Sequence, residues 1–413
     1  MKRIEIKENN LNMVYEITDE NEIKLLHFSN LPFDENDINS CEGTASFRPV
    51  EVLLSGLNRP GERHGTKYTY TAPGYRLKYK DMKDYRNETG RKLEILMEDK
   101  PTGLEVCSNI QFYDGISVIR SWTELKNNGE EDLGVEYVSS FALLGIDKEG
   151  LLSTDEKLEV LIARNAWQKE LIWNRFSMDQ LGMSISQPDK VRRSSQTISV
   201  GNTGNWSTKN YLPMGCLKNK ETDSILFWQI EQNGSWYWEI SDQDGHMYLQ
   251  LSGPTEHQSH WWKNLKPGDT FASVPVSVGS ACGDVEEAAG ELTKYRRAIR
   301  RKNEDNEKLP VIFNDYMNCL WGDPTTEKEL PLIDKAKEAG CEYFCVDCGW
   351  YSAGFWWDGV GEWLPSKERF PGGLKEVMDY IRSKGMVPGV WLELEVMGIK
   401  CLKADKVRMT GTL

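Results

Sequence analysis

Several features that define large classes of protein are scarce or absent here. The 413 residues include five His and no apolar run of about 18 residues, the length that a membrane-spanning helix needs. The first 17 residues, MKRIEIKENNLNMVYEI, are charged and lack the apolar core of a secretory signal. Neither a Walker-type loop nor a dinucleotide glycine fingerprint occurs, so nucleotide chemistry has no support. The sequence predicts a cytoplasmic protein without a membrane anchor.

Positively charged residues are fewer than negatively charged ones. The chain has 64 Asp and Glu against 50 Lys and Arg, which gives a formal net charge of −14. An acidic surface repels the phosphate backbone and anionic lipid headgroups. We therefore expect neither nucleic acid nor a membrane as a partner.

The nine cysteines are an odd number, which indicates reduced thiols rather than a disulfide framework. Three lie in the segment CEYFCVDCGW at 341–350, so an iron–sulfur or zinc site is an alternative to a sugar site there. Cys345 and Cys348 are three apart and would point to opposite faces of one strand, whereas a cluster needs converging thiolates. His257 and His260 add no recognisable zinc ligand set. We expect no metal and no cofactor, and a packing role for Cys341 and Cys345.

Two different periodicities divide the chain. Residues 1–283 alternate with period two in many short runs separated by turn residues, which predicts a large antiparallel sandwich. Residues 284–310 read as an amphipathic helix, with Asp284 as its N-cap, followed by a polar linker. From residue 311 onward strands and helices alternate, which predicts a parallel sheet, either barrel or doubly wound. The predicted strands are 311–318, 343–350 and 387–396, and the predicted helices are 327–339 and 373–384.

Carboxylates and Trp collect where these parallel strands end. Asp347 closes an apolar strand, and a carboxylate there is costly to bury without partners. Two interpretations of Asp347 are open. In the structural one its carboxylate only makes a hydrogen bond within the loop, and in the functional one it faces a ligand at the sheet edge. The segments GEW at 361–363 and WLELE at 391–395 add carboxylates and Trp at the same edge. Because carboxylates accept hydroxyl hydrogen bonds and Trp covers the apolar face of a sugar, these clusters predict a polyol site.

These segments resemble glycoside hydrolase family 36, the retaining α-galactosidases. VDCGW at 346–350 resembles the family's V/L-D-D-G-W, and GVWLELEVM at 389–397 resembles G-L-W-F-E-P-E-M. GEW at 361–363 and RFPGGL at 369–374 resemble its G-D-W and K-F-P-x-G-L. The N-terminal half is similar more loosely, best at GPTE and LKPGDTF, residues 253–256 and 265–271.

The resemblance implies a multidomain β plus α/β architecture. An N-terminal antiparallel β-supersandwich at 1–283 would be followed by a linker helix and linker at 284–310. Residues 311–413 would form the first three βα units of a (β/α)8 TIM barrel. The full-length form would be a homo-oligomer that hydrolyses terminal α-galactosides, such as raffinose-type oligosaccharides, through a covalent glycosyl-enzyme.

The resemblance also assigns substrate-binding residues. Asp347 would accept hydrogen bonds from galactose hydroxyls in the −1 subsite, Trp363 would wall that subsite, and the remaining residues would shape its floor: Trp350, Trp391 and Glu393. Two positions depart from the family pattern, because Cys348 stands where a second sugar-binding Asp is usual and Glu362 replaces an Asp. A thiol is a weak donor and a poor acceptor, so an α-N-acetylgalactosaminide is an alternative substrate.

No catalytic residue is expected in this chain. A retaining glycosidase needs two carboxyl groups about 5–5.5 Å apart. The resemblance places the nucleophile after the fourth barrel strand and the acid/base later, whereas a complete barrel takes about 250 residues. Glu393 and Glu395 are two apart on one strand, and the resemblance gives them no catalytic role. The 413-residue chain is therefore expected to be an inactive fragment, and a non-catalytic carbohydrate-binding protein is the alternative.

The last six residues, RMTGTL at 408–413, fit no part of the pattern. A relative's continuation Pro-Asp-Asp-Trp-Tyr-Phe, read one base late, would encode Arg-Met-Thr-Gly-Thr and then Leu or Phe. We therefore hypothesise that the reading frame slipped after Val407. A sheet interrupted there keeps an open edge, so we expect 1–283 to fold and 311–413 to be marginal.

Overall fold

A computed structural model describes residues 1–38, 46–57, 67–183, 196–394, 396–401 and 403–404. The chain forms two compact units, Met1–Arg300, here unit 1, and Arg301–Leu413, here unit 2. No helix among the described residues is long and apolar enough to cross a membrane.

Unit 1 is built from antiparallel strands, as the period-two alternation predicts. Its strands β1 to β19 are, in chain order, Lys2–Glu8, Leu11–Ile17, Ile23–Ser29, Val52–Leu54, Lys78–Arg86, Arg91–Asp99, Leu104–Tyr113, Ile116–Asn127, Leu133–Leu144, Leu158–Arg164, Ile172–Ser177, Ile198–Asn202, Tyr211–Asn219, Ser224–Ile230, Trp236–Gln243, His246–Ser252, Lys263–Leu265, Thr270–Ala272 and Val276–Cys282.

The strands of unit 1 form a large β-sandwich. One sheet has the order β11-β10-β13-β14-β19-β8-β7-β6-β5, with β18 added to β8. The other has the order β12-β15-β16-β9-β17, with β4 added to β9, and β1 to β3 form a meander. Alternate side chains of the strands pack into one apolar core, which includes Leu93, Val106, Val135 and the edge-to-face pair Trp228 and Trp238. The expected antiparallel sandwich is confirmed.

Three α-helices of unit 1 lie among the described residues: α1 at Thr154–Lys157, α2 at Glu256–Ser259 and α3 at Val285–Ile299. Asp284 caps α3 as the sequence predicts, because its carboxylate accepts the N–H of Val285 and forms a capping box with Glu287. The helix buries Leu292 and Tyr295 in a second apolar cluster with strand residues of unit 1. The helix expected in the linker at 284–310 thus packs within unit 1.

Unit 2 alternates helices with short parallel strands. Its elements are α4 at Glu304–Lys308, β20 at Ile312–Asn314, α5 at Thr326–Glu338, β21 at Tyr343–Val346, α6 at Trp356–Gly359, α7 at Leu374–Ser383 and β22 at Val387–Val390. The sheet order is β20-β21-β22, and Phe313 pairs with Phe344, as Val346 does with Val390. The expected parallel sheet with covering helices is therefore present.

Each strand of unit 2 is shorter than predicted. β20 ends at Asn314 rather than at residue 318, because Asp315 leaves the extended conformation with φ −85° and ψ 1°. β21 ends at Val346 rather than at residue 350, because the Asp347 carboxylate accepts the next backbone N–H, that of Cys348. Such local side-chain bonds compete with the strand ladder. Asp315 and Asp347, which the sequence prediction assigned to strands, are therefore the first residues of the loops that follow β20 and β21.

Candidate functional site at the strand ends of unit 2

Asp347 directly follows β21, and its side chain is held on two sides. Its Oδ1 accepts the backbone N–H of Cys348 at 2.7 Å, and its Oδ2 accepts the Asn314 Nδ2–H at 2.6 Å. The residue is 9% exposed. The loop hydrogen bond of the structural interpretation is thus present, but a carboxylate offers about four lone-pair sites, so acceptor capacity remains for a hydroxyl.

The predicted Trp residues lie together. Trp350 donates its indole N–H to the backbone oxygen of Trp391 at 3.0 Å, and its ring centroid lies 6.0 Å from that of Trp363. Trp363 is in turn 5.9 Å from Trp391. Tyr351 and Trp356, which the sequence interpretation had not included, extend this group by edge-to-face contacts with Trp363 and Trp391, respectively. The strand ends of β21 and β22 therefore share one aromatic surface.

Cys348 is buried, with 1% of its surface exposed. A Cβ added at Gly322 would come within 3.0 Å of the Cys348 sulfur and 2.3 Å of the Trp356 ring, so this close packing requires glycine. Burial, and then the neighbouring charge of Asp347, raise the pKa of the Cys348 thiol well above its ordinary value. Both effects favour the neutral thiol, and the backbone N–H of Cys348 donates to the Asp347 carboxylate.

The remaining predicted site residues are partly exposed. Glu393 follows β22 and lies near Tyr351, whose pKa is raised mainly by burial, then by Cys348, with a smaller contribution from Glu393. Glu362 lies beside Trp363 in the loop between α6 and α7. Glu395 is outside the described residues, so the rejection of Glu393 and Glu395 as a catalytic pair stays a prediction.

Arg369 is a site residue that sequence reasoning missed. It is 7% exposed, and its guanidinium donates to Asp323 and the Pro324 oxygen in the loop after β20. It also donates to the backbone oxygens of Ser352 and Gly354 in the loop after β21. One buried cation therefore joins two loops of the site. The sequence showed it only within the motif at 369–374, where an Arg between Glu and Phe gives no signal of burial.

A second carboxyl group, Asp315, lies behind Asp347. Its Oδ1 accepts the backbone N–H of Asp347 at 2.7 Å, and the residue is 1% exposed. Its side chain also contacts Glu329 of α5, which is fully buried. Burial is the largest cause that raises the pKa of each carboxyl above its ordinary value. The Asn-Asp pair at the end of β20 was the available sequence signal, but it was assigned to the strand interior.

No group of three or more His, Cys, Asp or Glu side chains among the described residues is arranged to hold a metal ion. Cys341, Cys345 and Cys348 are free thiols. Burial, and then the charges of Asp347 and Asp315, raise the pKa of the Cys345 thiol to about 11.

Sequence comparison connects this chain with known enzymes. Residues 276–403 match the melibiase family model. α-Galactosidase Mel36A of Lactobacillus acidophilus is 24% identical over 322 residues, which are 75% of this chain and 40% of that protein. α-Galactosidase 1 of Pediococcus pentosaceus is 28% identical over 162 residues, or 38% of this chain and 21% of that protein. The chain is thus similar in sequence to α-galactosidases.

Solved structures of family 36 enzymes share the fold. α-Galactosidase AgaA of Geobacillus stearothermophilus superimposes with a TM-score of 0.76 at 16% identity, over 98% of this chain and 58% of that chain. A variant of AgaA in complex with raffinose superimposes with a TM-score of 0.77, over the same shares of the two chains. The N-terminal β-sandwich followed by a partial barrel is thereby confirmed as a family 36 architecture. The chain spans less than two thirds of the length of these relatives.

Proposed function

We propose that this chain carries part of the substrate site of an α-galactosidase that acts on terminal α-galactosides of oligosaccharides. The observation that carries the proposal is the fixed carboxylate of Asp347 beside the aromatic surface of Trp350, Trp363 and Trp391. Fixed acceptors orient sugar hydroxyls, and indole rings cover the apolar face of a pyranose. The AgaA variant with bound raffinose supports the same substrate class for this chain.

The full-length enzyme would cleave by the retaining mechanism, with a covalent glycosyl-enzyme intermediate. In this chain Asp315 is too buried to reach a substrate, and Asp347 has the role of a sugar-binding group. We therefore assign no nucleophile and no acid/base among the described residues, and we expect the 413-residue chain to bind α-galactosides without hydrolysing them. A cytoplasmic location and a homo-oligomeric full-length form stay predictions.

Binding of raffinose tests this proposal directly. Titration calorimetry on the 413-residue chain should detect raffinose but not sucrose, which lacks the galactosyl group. Asp347→Asn removes the charge but keeps the shape, and affinity should fall about tenfold or more, because hydrogen bonds to charged groups are worth about 1.5–3 kcal/mol. Glu338→Gln, an exposed carboxylate on α5, is the matched control and should bind like the wild type.

Equal affinity for raffinose and sucrose would contradict the proposal. A methyl α-N-acetylgalactosaminide in the same titration tests the alternative sugar, because Cys348 makes the residue set differ from the family pattern. Release of free galactose from raffinose by the 413-residue chain would show that a catalytic pair is present after all.

The hypothesis of a reading-frame slip after Val407 concerns residues outside the described part of the chain. Sequencing of the gene across that codon and several hundred bases beyond tests it. A corrected frame with a downstream Lys-x-Asp segment would support the complete hydrolase. A gene sequence that gives the same frame through Leu413 would contradict the hypothesis of a slip.

A further inference from the structure

Asp315 and Glu329 form a buried carboxyl pair directly behind the proposed sugar-binding residue. Asp315 is 1% exposed and Glu329 is not exposed at all. Asp315 Oδ2 and both carboxyl oxygens of Glu329 meet no N–H or hydroxyl donor among the described residues. The two carboxyl groups are neighbours, so either one could donate to the other if it carried a proton.

The burial decides which charge state the pair adopts. Two adjacent carboxylates without a cation cannot both be ionised at low cost in a dry interior, so the pair retains one proton. Asp315 already accepts the backbone N–H of Asp347, which favours its charged form. Glu329 has no other described donor, so it is the member that stays neutral. Burial first, and then Asp315, raise the pKa of Glu329 above its ordinary value of 4.5.

The contacts then form a chain that ends at the site. A protonated Glu329 can donate to the neighbouring Asp315. Asp315 accepts the N–H of Asp347, and the Asp347 carboxylate accepts from Asn314 and from the backbone of Cys348. We propose that Glu329 is a positioning residue, whose neutral carboxyl fixes Asp315 and thereby sets the orientation of Asp347 toward a bound sugar. The inference rests on the proposed function of Asp347 as the sugar-binding carboxylate.

The pair also gives the site a direction of pH dependence. Above about pH 4.5 the unfolded chain has released the Glu329 proton while the folded chain still holds it, so the stability contributed by this group falls as pH rises. The other titratable groups that face the pair are Asp347 and three thiols: Cys319, Cys345 and Cys348. These groups are identical in a Glu329 variant, so a comparison with that variant isolates the contribution of Glu329.

Two substitutions separate positioning from packing. Glu329→Gln keeps the shape and supplies a permanent N–H donor to Asp315, so it should preserve the orientation of Asp347 and lose the pH response. Glu329→Met fills the same space without a donor and leaves the buried Asp315 carboxyl without its partner, so it should also lower the stability of unit 2. Glu338→Gln on the same helix is exposed and serves as the control.

The experiment measures raffinose affinity and hydrogen exchange of the peptide spanning 343–350 for each 413-residue chain, between about pH 6 and about pH 9, with exchange corrected for its intrinsic pH dependence. In the wild type protection should fall as pH rises, because the unfolded chain releases the Glu329 proton and the folded chain keeps it, whereas affinity should stay level over this range. In Glu329→Gln neither should change with pH. Glu329→Met should bind about tenfold more weakly at every pH, with faster exchange at Asp347 and Cys348.

Two results would overturn the inference: the same pH response in wild type and Glu329→Gln, or wild-type affinity and exchange in Glu329→Met. If no variant binds raffinose, the proposed function of Asp347 fails, and the exchange measurement still decides whether Glu329 fixes this strand end. Infrared difference spectra between the folded wild type and Glu329→Gln provide a further readout, since the carbonyl band of one protonated carboxyl should be lost in the variant while those of other buried carboxyls, such as Glu51 and Glu239, remain in both.

Discussion

The two units of this chain hold their strands in different ways. In unit 1, strands such as β8 and β9 run for 12 residues and are paired on both sides within antiparallel sheets. In unit 2 the strands are 3 or 4 residues long, and side chains on the sheet stay exposed: Ile312 at 60%, Val387 at 49% and Val390 at 37%. Unit 1 therefore has a large apolar core between sheets, whereas unit 2 buries its strands mainly on the helix side.

The two units are therefore stabilised by different kinds of contact. In β21, Phe344 and Val346 pack with the helices, while Tyr343 and Cys345 on the other face are only partly buried. The carboxyl end of the sheet is instead held by polar groups: Asn314, Asp315, Asp347, Glu329 and Arg369. A unit that relies on a few directional bonds at its site should be more sensitive to single substitutions than one with a broad apolar core.

Removal of one core ring from each unit should give the largest contrast. Phe112 in unit 1 and Phe344 in unit 2 are both fully buried, and each change to Ala costs about 3–5 kcal/mol. We expect Phe344→Ala to unfold unit 2, whereas unit 1 with Phe112→Ala stays folded. Limited proteolysis with peptide mapping measures this, with the wild type as the reference, in which unit 2 should already be cut first. Equal resistance of the two variants would show that unit 2 is as stable as unit 1.

The pH dependence of unit 1 should contrast with that inferred for Glu329. Burial, and then the charge of Lys148, lower the pKa of His27 from 6.5 to about 4. The unfolded chain therefore binds a proton that folded His27 does not, and stability falls as pH drops from about 6.5 to 4, by about 3 kcal/mol in total. His27→Asn, which can still donate to the Leu31 oxygen, should remove this loss.

Urea unfolding of unit 1 at several pH values measures the effect of His27. Glu51, whose pKa burial raises to about 7, contributes a slope of opposite sign in the same unit, so only the difference between variant and wild type is informative. His257→Asn, at an exposed position, is the control. A slope below pH 6.5 that is unchanged in His27→Asn would contradict the assignment.

Loss of the buried cation in unit 2 should have a somewhat smaller effect. Arg369→Met leaves the backbone oxygens of Ser352, Pro324 and Gly354 without this donor, and we expect a loss of about 2–3 kcal/mol. Arg382→Met, on an exposed ion pair of α7, should cost less than about 0.5 kcal/mol. Hydrogen exchange in unit 2 compares the two, and similar exchange rates would show that Arg369 does not hold the loops.

The sequence anticipated features that depend on neighbours along the chain. Asp284 was identified as an N-cap and Asp347 as the polar residue that closes an apolar strand, because each lies at the boundary of a helical or apolar pattern. The site role of Asp347 stays a prediction. The Trp residues near Asp347 were found because parallel strands end at one edge. Their mutual contacts agree with that expectation.

Features that depend on distant contacts were missed. Glu329 lies in an amphipathic helix, where a Glu is ordinarily exposed, and its burial follows from contact with Asp315, 14 positions earlier. Arg369 is buried because two loops converge on it. The ends of β20 and β21 were placed too late because the side-chain bonds of Asn314 and Asp347 to the backbone compete with strand pairing.

Removal of a helix cap should give the smallest difference between the two units. It perturbs only the first turn of one helix in each unit. Thr325 caps α5 of unit 2 by accepting the N–H of Lys328, and Asp284 caps α3 of unit 1. Removal of either cap by mutation to Ala costs about 1 kcal/mol. In unit 1 that loss should fray the first turn of α3 and leave the sheets unchanged.

In unit 2, loss of the helix cap should also disturb the candidate site, because Glu329 lies on α5 only four residues after the cap Thr325. Thr325→Ala should therefore weaken raffinose binding about fivefold and speed exchange in the peptide spanning 343–350. Asp284→Ala should change neither, although its own helix exchanges faster. If both variants bind raffinose like the wild type while α5 frays, the order of the strand ends does not depend on α5, and the contrast between the units would lie in the loops that Arg369 joins.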